Sequence, residues 1–155
     1  MCRRGKRGAQ NQAFGRSRGG FSTKIHARTN AQGLPIALLL TPGEASDSTA
    51  FNDLMAEHDA DPKVMLADKG YDSDAIRHEI RARGGSPEIP TRRSRRVQHA
   101  VNKALYATRN RIERFFNKFK NSRRVATRYD QTAASFLGFA KLVSIKIWIR
   151  FVHAT

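Results

Sequence analysis

Asp68 and Glu113 are the two carboxylates of this 155-residue chain that stand where chemistry is done. Asp68 lies in Leu66-Ala67-Asp68-Lys69-Gly70-Tyr71-Asp72, at the carboxyl end of a short apolar run and ahead of a Gly turn. Open α/β sheets place their active sites at such a point. The structural alternative is a helix cap, but Asp72 and Ser73 sit closer to the helix that follows. Glu113 is the single acid among thirteen cations in residues 92–128. It belongs to the pattern Tyr106-x2-Arg109-x3-Glu113-x6-Lys120. On one helix over about 101–123, at about 100° per residue, these four side chains fall within roughly 60° of arc. Leu105, Ile112, Phe115, Phe116 and Phe119 form the apolar stripe beside them. An ordinary helix with an Arg109–Glu113 ion pair has the same spacing, and that pair contributes only about 0.2–0.5 kcal/mol. Asp and Glu within a basic surface suit metal-dependent phosphodiester chemistry. Mg²⁺ takes hard oxygen ligands and needs no His or Cys, and two such ions about 3.5–4 Å apart serve an in-line displacement. The histidines at 26, 58, 78, 99 and 153 show no metal-ligand spacing.

The elements that must hold these groups can be read from pattern and charge. Twenty-nine Lys and Arg against thirteen Asp and Glu give a net charge of +16, which points to a polyanionic partner. The charge is blocked: residues 1–28 carry eight cations and no acid, while residues 44–88 carry eleven acids and five cations. Residues 1–16 read as a flexible basic segment, and residues 17–152 as one α/β domain. Phe21–Thr29 alternates as a strand, Asn30–Gly33 turns, and Leu34–Thr41 is a continuous apolar run expected to be a buried strand. Ser46 or Asp47 is expected to cap a helix whose Phe51, Leu54 and Met55 share a face. A short strand at 63–67, a helix to about Arg83, a short strand ending at Ile89, a basic loop over 91–100 and helices at about 101–123 and 131–152 complete the order. Phe136–Val152 is the longest greasy stretch, yet it holds Lys141, Lys146 and Arg150. A central Lys costs about 2.5–3.5 kcal/mol on insertion, so this is a buried or half-buried helix and not a membrane span. The single cysteine, Cys2, excludes an internal disulfide and points to a reducing compartment. Gly15-Arg16-Ser17-Arg18-Gly19-Gly20 lacks the Lys-Ser/Thr of a nucleotide-binding loop and precedes a strand. It serves equally as a hairpin lead-in or a phosphate contact.

Taken together, these segments resemble the bacterial insertion-sequence DDE transposases. The Tyr-Arg-Glu-Lys pattern is similar in all four residues and all three gaps to the signature around that family's third catalytic acid. LADKGYD resembles the segment around the second, and GRSRGGFSTKIH, LTPGEASDS and RRVATRYD resemble further family stretches. The resemblance runs from Gly15 to about Ile149. It implies an RNase H-like mixed sheet flanked by helices, with Mg²⁺- or Mn²⁺-dependent DNA cleavage and strand transfer at element ends. It also implies a bacterial cytoplasmic, nucleoid-associated protein with no membrane contact. Carried over residue by residue, Asp68 and Glu113 are metal-binding acids, and Tyr106, Arg109 and Lys120 position DNA phosphates. The basic residues Arg16, Arg18, Lys24, Arg92, Arg93, Arg95, Arg96, Arg123, Arg124 and Arg128 are the expected DNA contacts. One departure stands out: the family's first catalytic Asp lies upstream of GRSRGG, and this chain has no acid before Glu44. The expectation is therefore a catalytic portion lacking its first central strand, its two-metal site incomplete. Such a chain is inactive alone and works with an upstream segment or as a homo-oligomer. The alternative is a basic nucleic-acid-binding remnant without catalysis.

Overall fold

The structure, a computed structural model, describes residues 13–17 and 20–154. Most of the 1–16 segment and Arg18 lie outside the described residues, as does the side chain of Arg16. The chain forms two compact units, residues 1–45 with 112–155, and residues 46–111.

In the first unit, β1 (Gly15–Ser17), β2 (Gly20–Thr29) and β3 (Pro35–Pro42) form an antiparallel sheet in that order. The β2–β3 turn sits where expected. Asn30 Oδ1 accepts the amides of Gln32 and Leu34, and Gly33 adopts a φ of 81°, which glycine reaches without a Cβ clash. Opposite Ile25 and Ala27 of β2 stand Leu40 and Leu38 of β3. Leu38 enters a core with Phe115, Phe119, Val125, Ala140 and Val143. The apolar run of β3 is less covered than expected: Leu34, Ala37 and Leu38 are buried while Leu39 and Leu40 are half-buried. Among the described residues β3 pairs only with β2, so it is an edge strand. Three helices supply the rest of this core: α4 (Asn110–Lys120), α5 (Arg123–Ala126) and α6 (Ala133–Val152). Thr132 caps α6 by accepting the amide of Ser135, and Trp148 donates to the carbonyl of Pro35 at 2.7 Å. No helix among the described residues is long and apolar enough to cross a membrane.

In the second unit, a 3₁₀ turn at Asp47–Ala50 leads into α1 (Phe51–Ala56). β4 (Val64–Leu66), α2 (Asp74–Ala82) and β5 (Ser86–Glu88) form a parallel pair with a helical crossover. α2 ends in a Schellman motif: Gly84 has φ 79° and donates to Arg81, and Gly85 donates to Ile80. Phe51, Met55, Ile76, Ile80 and Ile89 make the core. The chain is thus mixed α/β, and among the described residues the strands pair in two small sheets and not in one mixed sheet.

Two local expectations are corrected. The helix foreseen over 101–123 is broken into α3 (Lys103–Ala107) and α4. The hydroxyl of Thr108 bonds back to the carbonyl of Leu105 at 2.6 Å, closing one helix before the next begins. Tyr106, Arg109, Glu113 and Lys120 therefore do not share one continuous helical face. Asp47 lies within the 3₁₀ turn, and neither Ser46 nor Ser73 makes a side-chain cap bond.

Candidate active site

The chain leaves β4 through Ala67 and Asp68 into a 3₁₀ turn at Lys69–Tyr71. This exit forms one wall of a cleft of about 540 Å³ lined by Asp47, Asp68, Lys69, Gly70, Arg92 and Arg93. Asp68 is 62% exposed and accepts an ion pair from Arg109 at 3.0 Å. The Arg109 guanidinium in turn lies 5.4 Å from the centre of the Tyr106 ring, within cation–π range. Three of the foreseen site residues are thereby brought together. A Cβ on Gly70 would come within 2.5 Å of an Asp47 carboxylate oxygen, so glycine lets that acid approach the turn. Burial pushes the Tyr71 hydroxyl well above its ordinary pKa, and the charges of Asp47 and Asp68 push it further. Tyr71 stays protonated, a donor beside two carboxylates.

Behind the cleft is a buried ionic cluster. Asp72 accepts from Arg77 at 2.9 Å and 3.2 Å, from Arg95 at 2.9 Å and from the amide of Arg92 at 2.8 Å. Arg77 also donates to the Ile89 carbonyl at 2.6 Å. Burial alone would raise the Asp72 carboxyl; the Arg92 amide and the Arg77 and Arg95 guanidiniums outweigh it and hold it below the usual range. Asp72 thus ties the 91–100 loop down, which differs from the cap expected of it. Arg92 closes the contact by donating to the carbonyls of Lys69 and Gly70, both at 3.0 Å.

Glu113 and Lys120 stand exposed on α4 in the first unit, whose Phe115 and Phe119 enter the core. Of the other cations, Lys24 donates to the Ala45 carbonyl, and Arg124 pairs with Asp130 at 3.1 Å and stacks on Phe139. Arg128 is half-buried, with its guanidinium 3.7 Å from the centre of the Phe14 ring and bonded to Thr23 and to the Asp130 carbonyl. Burial lowers its pKa from the usual arginine value.

Residues 1–144 match the family described as the transposase DDE domain. The chain is 35% identical over 131 residues to a protein of Brucella ovis named as a transposase for insertion sequence element IS6501, covering 84% of this chain and all of that protein. It is 32% identical over 130 residues to one of Burkholderia cepacia named as a transposase for insertion sequence element IS402, covering 77% of this chain and 59% of that protein. This chain belongs to the DDE transposase family. No solved structure matches it.

Family membership directs attention to a divalent metal. The cleft of this transposase domain offers hard carboxylate oxygens from Asp68 and Asp47, and a Mg²⁺ ion that keeps several waters is commonly held by one or two carboxylates. The donor chemistry fits. Among the described residues no three His, Cys, Asp or Glu side chains cluster closely enough to form an all-protein cage. Sequence reasoning weighed Asp47 and preferred a helix cap for it, and missed Lys69 as a cleft residue. Asp47 precedes a helix in a Ser-rich stretch, so cap chemistry hid it. Lys69 carried only the signal of lying next to Asp68.

Proposed function

We propose that this chain supplies catalytic carboxylates for DNA transposition, the metal-dependent cleavage and strand transfer of phosphodiesters at insertion-sequence ends. In this reading Asp68 and Glu113 bind the metal, and Tyr106, Arg109 and Lys120 position DNA phosphates. The supporting observation is the exposed Asp68 carboxylate at the end of β4, in a basic cleft and paired with Arg109. Divalent ions, when bound, supply neutralisation of phosphate charge and an activated nucleophile. Arg109, oriented by the Tyr106 ring and by Asp68, presents a planar guanidinium suited to bidentate phosphate contact.

The test incubates the chain with labelled insertion-sequence-end DNA and Mg²⁺ or Mn²⁺, with and without the family's upstream segment. Nicks at the element boundary that vanish in EDTA are expected in at least one arm. Binding with no metal-dependent nicking in either arm would favour a basic nucleic-acid-binding remnant instead.

A further inference from the structure

The four arginines of the basic loop after β5 do different things. Residues 91–99 close on themselves: the Thr91 hydroxyl donates to the His99 carbonyl at 3.3 Å, and the His99 amide donates back to that hydroxyl at 2.8 Å. Inside the loop the Arg95 amide donates to the Arg92 carbonyl, and the Gln98 side chain donates to the carbonyls of Arg95 and Arg92. Such a loop, with its ends joined, is ordered by its own bonds. Arg92 and Arg95 point their donors inward. Arg92 grips the Lys69 and Gly70 carbonyls, and Arg95 grips Asp72 and Asp74. The Asp74 bond in particular holds the Arg95 pKa above its usual value. Arg93 and Arg96 are exposed and form no hydrogen bond or ion pair among the described residues. Arg93 also lines the cleft that holds Asp68.

We propose that the 91–99 loop is a preordered phosphate-binding arm. Arg93 and Arg96 contact a nucleic-acid backbone at the Asp68 cleft, and Arg92 and Arg95 clamp the arm to the Asp68 turn through Asp72. The proposal rests on the reading of this chain as acting on DNA and adds which cations meet phosphate. The bonded loop backbone loses little further freedom on binding, so the ordering cost falls mainly on the two solvated side chains. Arg92 and Arg95 each commit two of their five side-chain N–H donors to carbonyls or carboxylates, which leaves them less available to phosphate than Arg93 and Arg96.

The experiment measures filter binding of the full chain to a mixed-sequence duplex across a NaCl series. Each phosphate contact contributes about −0.9 to the log–log salt slope. Arg93→Gln with Arg96→Gln is expected to flatten the slope by about 1.8. Arg92→Ala with Arg95→Ala is expected to weaken binding at every salt concentration and to flatten the slope less than the Arg93/Arg96 pair does, while tryptic cleavage after Arg93 and Arg96 accelerates several-fold. Far-UV circular dichroism confirms that each variant is folded. Equal flattening in both pairs, or none in the Arg93/Arg96 pair, would overturn the arm and leave the DNA reading standing. A wild-type chain with no salt-dependent affinity for DNA would overturn both.

Discussion

Asp72→Asn removes a single charge from the best-buried ionic cluster of the second unit, and the structure sets its cost. The Asp72 and Arg77 side chains are 0% and 2% exposed. Without the carboxylate, the Arg77 guanidinium keeps only the neutral Ile89 carbonyl as an acceptor among the bonds described. Breaking a buried pair from one side costs about 3–5 kcal/mol, because the other charge stays buried without its partner. The low end applies here. Asn retains an oxygen for the Arg92 amide, and Arg95 retains Asp74. A loss of about 3 kcal/mol corresponds to a fall in Tm of roughly 6–12 °C for a chain of this length. Urea unfolding followed by circular dichroism measures it, with Asp72→Asn/Arg77→Met as the paired control. Removing both charges is expected to restore most of the loss, since apolar replacement of a buried pair is close to neutral. The pH dependence has a definite sign. The folded pKa of Asp72 lies below its unfolded value of about 3.9. Its contribution is therefore present above about pH 4 and is lost as pH falls through the lower folded value. Asp72→Asn should flatten that acid limb. A loss under about 1 kcal/mol, or a double variant no better than the single one, would refute the argument.

Phe119→Ala empties the centre of the first unit, where the ring is 0% exposed and packs 5.0 Å from Phe115; a loss of about 3–5 kcal/mol in urea unfolding is expected. Asp68→Asn breaks only an exposed ion pair with Arg109, so its stability should change by no more than about 1 kcal/mol in the same measurement.

Strong periodicity made several elements legible. The β2–β3 hairpin followed from alternation, an apolar run and an Asn-Gly turn, and the burial of Phe51, Leu54 and Met55 followed from their shared helical face. Asp68 was legible because strand, acid and glycine occur in that order. The break between α3 and α4 was not, since Thr108 is tolerated within helices and nothing in the pattern reveals its bond to Leu105. Asp47 was read as a cap because an acid before an apolar helix has that composition, while its approach to Gly70 is a tertiary event. The roles of Arg92, Arg93, Arg95 and Arg96 were equally hidden. In sequence they are four like charges, and only the position of Asp72 shows which of them bond to it.

The central claim is that Asp68 and Glu113 are catalytic carboxylates of a transposase. Its most direct test uses Asp68→Asn and Glu113→Gln, which preserve shape and remove charge at two exposed positions. Each variant is assayed beside wild type for Mg²⁺-dependent nicking of element-end DNA, with and without the upstream family segment, and for binding to the same DNA. Both variants are expected to lose nicking by at least about 10²-fold, on the scale of removing a group that acts in the transition state, while their DNA affinity stays within about threefold of wild type. Near-normal nicking by either variant would contradict the assignment of that carboxylate.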